Sequence, residues 1–147
     1  MNIGIVGCGN ISDTYFESQK IFKNVNITSC ADIIKNIADQ KANQYNIKSQ
    51  SVEEILEDKE IDLILNLTIP AAHKDIIVRS LENGKHCFSE KPLAINLQDG
   101  FEIKEISEKN NLLVGCAPDT FLGSAGQKAR KLIETNSIGK IVLGTFN

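Results

Sequence analysis

What most constrains this chain is an alternation of two hydrophobic periods along its whole length. Residues 2–7 form a short apolar run that ends at glycine, which predicts a strand. Residues 10–22 space Ile11, Tyr15, Phe16 and Ile21 loosely as on a helix, and residues 25–31 alternate like a second strand. Ile33, Ile34, Ile37, Ala38, Ala42 and Tyr45 then repeat at helical spacing. After a short segment at 47–50, Ser51-Val52-Glu53-Glu54 has the form of a capping box that opens a helix. Further strands are expected at 62–67, 85–89, 112–117 and 140–146. Helices are expected at about 71–83, stopped by Gly84, from the N-cap Asn96 to about 110, and over 124–135. Repeated strand–helix units join parallel strands by crossovers, so the expected class is α/β: a doubly wound, mostly parallel sheet with helices on both faces.

The expected division is a domain over 1–120, then a linking helix and strand over 121–147 that lead toward a second domain. A final apolar strand pattern at 140–146 calls for a neighbour, because an open apolar strand invites pairing. Net charge is -3, with acids and lysines interspersed, which argues against nucleic acid as a partner. No apolar run is long enough for a bilayer and no secretory leader is evident, so the expected location is cytoplasmic. The four cysteines (Cys8, Cys30, Cys87 and Cys116) form no C-x-x-C pair; a zinc site or disulfide framework is not expected. Cys30, Cys87 and Cys116 each sit in a short apolar run, where a free cysteine behaves as a small hydrophobe.

Chemistry is expected where glycine, proline and ionisable residues follow the apolar runs. Gly7-Cys8-Gly9-Asn10-Ile11-Ser12 sits between the first strand and first helix and carries most of a dinucleotide fingerprint, with Ser12 at the third glycine position. Gly7 permits the tight turn, Gly9 lets a pyrophosphate approach, and the amides of Asn10 and Ile11 would face the anion. Asp32 ends the second strand, where a carboxylate can accept both ribose hydroxyls and repel a 2′-phosphate. NAD is therefore favoured over NADP, although Lys35 lies close by; Asp32 could alternatively cap the following helix. Thr68-Ile69-Pro70 and His73 follow the 62–67 strand, Glu90-Lys91-Pro92 follows 85–89, and Pro118-Asp119-Thr120 follows 112–117. Proline at 92 pushes Lys91 into an extended conformation. Alone, each of these segments reads as an ordinary surface turn. Together they fall at the carboxyl ends of strands, the edge of an open parallel sheet where ligands bind.

These segments resemble the Gfo/Idh/MocA oxidoreductases, through Ile3 to Ser12, Asp32, Thr68 to His73, Glu90-Lys91-Pro92, and the stretch from Ala117-Pro118-Asp119-Thr120 to Ile138-Gly139-Lys140. The resemblance implies a Rossmann domain followed by a second domain that holds a sugar-like or cyclitol substrate and forms a homo-oligomer. It implies NAD(P) on Gly7, Cys8, Gly9, Asn10 and Ile11, with Asp32 on the adenosine ribose. Thr68, Ile69, Pro70 and His73 would line the path to the nicotinamide. Glu90 and Lys91 would stand beside its ribose, and the Lys91–Pro92 bond can be cis. The implied reaction is hydride transfer between nicotinamide and a secondary alcohol, with Lys91 positioning or polarising the reacting oxygen. The principal acid/base would come from the second domain, so this stretch alone is expected to be inactive.

Two departures bear on this reading: Ser12 stands for glycine, and the 117–120 segment lacks the Arg or Asn that many sugar-oxidising members show. The alternatives are a dinucleotide-sensing module without catalysis and an S-adenosylmethionine-dependent methyltransferase. A sensor needs no ammonium at the nicotinamide end, and a methyltransferase does not account for Glu90-Lys91-Pro92.

Overall fold

The structure is a computed structural model describing residues 1–118 and 120–145. It comprises two compact units, Met1–Ala117 and Pro118–Asn147. The first unit contains six strands: β1 (Asn2–Val6), β2 (Asn26–Ala31), β3 (Lys48–Gln50), β4 (Leu63–Asn66), β5 (His86–Ser89) and β6 (Val114–Cys116). All five pairings are parallel, in the order β3-β2-β1-β4-β5-β6. Between them run α1 (Ser12–Ser18), α2 (Lys35–Tyr45), α3 (Val52–Glu57), α4 (His73–Glu82, after a 3-10 turn at Pro70–Ala72) and α5 (Leu97–Asn110). The second unit contains a 3-10 turn at Thr120–Leu122 and α6 (Ser124–Glu134). No helix among the described residues is long and apolar enough to cross a membrane.

Successive residues of the central strands serve opposite faces of the sheet, as the pleat requires. Val6, Ala31, Ile64 and Cys87 join Ile55, Leu56, Ile76, Ile77, Leu81 and Ile103 in one apolar cluster. Ile5, Cys30 and Leu65, one position away on each strand, join Phe16, Ala38 and Ala42 in the other. Burying each such large side chain stabilises the fold by roughly 1.5–3 kcal/mol. Strands buried on both sides therefore read as unbroken apolar runs in the sequence.

Local signals explain the boundaries. Ser51 and Glu54 form both bonds of the capping box, at 3.1 and 2.7 Å. Asn96 caps α5 by accepting the Asp99 amide at 2.9 Å, and Gly84 ends the α4 turn at φ 76°. Two expectations need correction. α2 begins at Lys35, and Ile33 is 95% exposed, so the helical spacing read from Ile33 and Ile34 starts too early. The strand expected at 140–146 is not formed over the described part, 140–145, where Val142 is 92% exposed. A strand needs a ladder partner as well as an apolar pattern, and none of the described residues pairs with this segment. Residue 146 lies outside the described residues, as does Asp119.

Candidate functional site

Parallel pairing sets the rim. Val6 stands opposite Ala31 and Asn66, and Asn66 stands opposite Ser89. The next residues, Gly7, Asp32, Leu67 and Glu90, thus leave the sheet on the same edge. Three strand spacings, about 14 Å, separate the ends of β2 and β5. The glycine turn lies between them, where the strand order reverses direction from β1.

Gly7 has φ 99°, and a Cβ there would lie 2.7 Å from the Leu67 carbonyl carbon and oxygen. Only glycine fits this position. At Gly9 the reverse holds: a Cβ would meet nothing within 4 Å, so the backbone faces open space. Among the described residues the amides of Gly9, Asn10 and Ile11 donate to no acceptor, and no side chain caps α1. An open glycine beside unsatisfied amides fits a phosphate group. Ser12 is fully buried and its hydroxyl donates to the Gly9 carbonyl at 2.7 Å, which adapts serine to the third glycine position.

Asp32 accepts the Cys8 amide on Oδ2 at 2.8 Å and the Ile34 amide on Oδ1 at 2.9 Å. It does not cap α2, whose N-cap residue is Ile34. Each carboxylate oxygen retains a lone pair, enough for two hydroxyl donors. A groove of about 730 Å³ opens here, bordered by Gly7, Gly9, Asp32, Ile33, Thr68 and Ile69. Exposed Ile33 and Ile69 give it apolar walls. Ile33 was not legible as a groove residue, because its apolar character reads as helix core.

Several expected site residues take other places. The Cys8 side chain is buried; its thiol is pushed up by hydrogen bonding with Cys30 and by burial, so it stays protonated, and only its amide serves the site. Burial likewise pushes the Cys87 thiol up to about 12. Pro70 is exposed and borders a separate hollow beside Lys74 and Asp99. His73, expected to line the cofactor path, is 0% exposed. Its Nδ1 lies 2.6 Å from the Pro92 carbonyl oxygen and its Nε2 lies 2.9 Å from that of Thr68. The ring thus braces the two loops from beneath. Asn66, missed in the sequence because it sits inside an apolar run, completes that brace. Its Nδ2 donates to the His73 carbonyl at 3.2 Å, and its Oδ1 accepts the Thr68 hydroxyl at 2.6 Å.

Glu90 and Lys91 lie further along the rim. Glu90 accepts the Tyr15 hydroxyl on Oε1 at 2.7 Å and the Lys91 amide on Oε2 at 3.2 Å. Lys91 is exposed, and the Lys91–Pro92 peptide is cis.

The model of the GFO_IDH_MocA oxidoreductase family, described as an NAD-binding Rossmann fold, matches residues 1–117. The chain belongs to the Gfo/Idh/MocA family. It is 27% identical over 141 residues to the scyllo-inositol 2-dehydrogenase (NAD(+)) of Bacillus subtilis, covering 92% of this chain and 41% of that protein. A probable dehydrogenase from Thermotoga maritima superposes with a TM-score of 0.90 at 22% identity, over 95% of this chain and 43% of that one. Biliverdin reductase from Synechocystis, solved with biliverdin and NADP+, superposes with a TM-score of 0.80 at 25% identity, over 90% of this chain and 42% of that one. The chain thus spans about two fifths of the length of these relatives. The matched part is the NAD(P)-binding Rossmann domain.

Proposed function

We propose that the protein is an NAD-dependent dehydrogenase acting on a secondary alcohol of a cyclitol or related sugar, and that this chain is its cofactor-binding part. The observation that carries the reading is the common rim: the open turn at Gly9, the Asp32 carboxylate and Lys91 all leave the sheet on one edge. The amides of Gly9, Asn10 and Ile11 would hold the pyrophosphate. Asp32 would bind the adenosine ribose and disfavour a 2′-phosphate, which selects NAD over NADP. Ile33, Thr68 and Ile69 would border the adenosine, with Glu90 and Lys91 at the nicotinamide end. The cofactor, when bound, accepts or supplies the hydride. Lys91 would orient and polarise the reacting oxygen with its ammonium. The cyclitol class follows the inositol dehydrogenase among the relatives.

The test is a fluorescence titration of the full-length protein with NADH and NADPH, followed by an assay of NAD reduction with myo-inositol and scyllo-inositol. Tighter NADH binding that Asp32→Ala weakens, together with cyclitol-dependent NADH formation, supports the reading. Preference for NADPH, or turnover unchanged by Lys91→Met, overturns it. Residues 1–147 alone should bind NADH weakly and turn nothing over.

A further inference from the structure

Glu90 and Lys91 are adjacent opposite charges, yet their side chains form no ion pair among the described residues. Both oxygens of the carboxylate are engaged elsewhere. Oε1 accepts the Tyr15 hydroxyl at 2.7 Å, and Oε2 accepts the Lys91 backbone amide at 3.2 Å. Glu90 itself is fixed at the end of β5 by donating its amide to the Asn66 carbonyl at 2.9 Å. The Tyr15 ring packs against the apolar cluster around Phe16 and Leu65, which sets where its hydroxyl stands. Tyr15 lies on α1, the helix that begins directly after the glycine turn.

We propose that Tyr15 is a positioning residue for Lys91: by holding the Glu90 carboxylate back against the chain, it keeps that charge off the Lys91 ammonium. This rests on the reading of Lys91 as the group that meets the reacting oxygen. A carboxylate released next to an exposed ammonium pairs with it, occupying one of its donors and partly cancelling its charge. The ammonium would then be a weaker partner for a developing alkoxide. The same contact ties the helix of the cofactor turn to the loop bearing Lys91, 75 residues away in sequence.

Tyr15→Phe in the full-length protein removes the hydroxyl and keeps the packing ring. Two readouts test the proposal. The first is the rate of reductive methylation of Lys91 by formaldehyde and cyanoborohydride, followed by mass spectrometry without cofactor. It should fall about threefold or more in Tyr15→Phe, because pairing shields the amine and holds its proton. It should return to the wild-type rate in Tyr15→Phe/Glu90→Gln, whose amide carries no charge. The second is steady-state turnover: kcat should fall about threefold to tenfold with KM for NAD unchanged, and the loss should vanish in the Glu90→Gln background. Unchanged Lys91 methylation in Tyr15→Phe, or a kcat loss that persists beside Glu90→Gln, overturns the proposal. A wild-type protein without cyclitol turnover defeats the proposed function instead, and the methylation measurement still decides the role of Tyr15.

Discussion

Asp32 accepts the amide hydrogen of Cys8 at 2.8 Å, so the acid that ends β2 is bound to the turn that ends β1. One carboxylate therefore both shapes the glycine turn and presents its remaining lone pairs to the groove. Asp32→Ala should weaken NADH binding by about tenfold or more, equivalent to about 1.4 kcal/mol per decade. The ratio of NADPH to NADH affinity should rise at the same time. Paired titrations of wild type and variant check both.

Gly7 and Gly9 are two residues apart and should respond oppositely to the same substitution. Gly7→Ala places a Cβ 2.7 Å from the Leu67 backbone at positive φ, and should cost about 2 kcal/mol or more of stability. Gly9→Ala meets no neighbour, so its melting temperature should stay within about 2 °C of wild type. Its new methyl group enters the open space where we propose the phosphate binds, so NADH affinity should fall. Thermal melts with and without NADH separate the two.

His73 is fully buried between two loop carbonyls and does not face the groove. His73→Ala should destabilise the fold by roughly 2–4 kcal/mol through the cavity and the lost hydrogen bonding. Unfolding in urea should show a lower midpoint. At low temperature, where the variant is still folded, NADH affinity should change less than it does in Asp32→Ala.

Acid should destabilise the protein through a defined set of carboxylates. Lys41 and then Tyr45 hold Asp13 below the ordinary carboxylate value of 3.8. Lys35 and then Ser49 do so for Asp39, the Glu60 amide and then Gln50 for Asp58, and Lys74 for Asp99. With folded values depressed, the unfolded chain binds more protons in the window below 3.8. Their stabilisation is complete above that value and is lost as pH falls through the lowered folded values. The urea midpoint should be flat near neutrality and drop below about pH 4. Asp13→Asn should make that acid limb shallower.

Most of the architecture was legible because parallel strands buried on both faces leave short apolar runs, and because the Ser51 box and the Asn96 cap mark helix starts locally. The turn at Gly7 was legible for the same reason: its conformation demands one residue type. What escaped depends on partners distant in sequence. β3 holds only Lys48, Ser49 and Gln50, and is a strand solely because β2 lies beside it. Residues 140–145 show the converse, an apolar pattern without a ladder. In the site, the inward turn of His73 was hidden because its ring, at the start of α4, meets backbone carbonyls of the loops after β4 and β5, and Asn66 was hidden inside an apolar run. Asp119 lies outside the described residues.

The central position of β1 has a consequence for how the chain assembles. β1 is bordered by β2 on one side and by β4 on the other, so its second flank stays open until residues 63–66 arrive. Closing that contact spans some sixty residues, a long and slow loop for a folding chain. The wall of Gly7 is the Leu67 backbone, which comes with β4. The bend at Gly7 is thus written locally in the sequence but takes its shape only when a strand some sixty residues further along packs beside it.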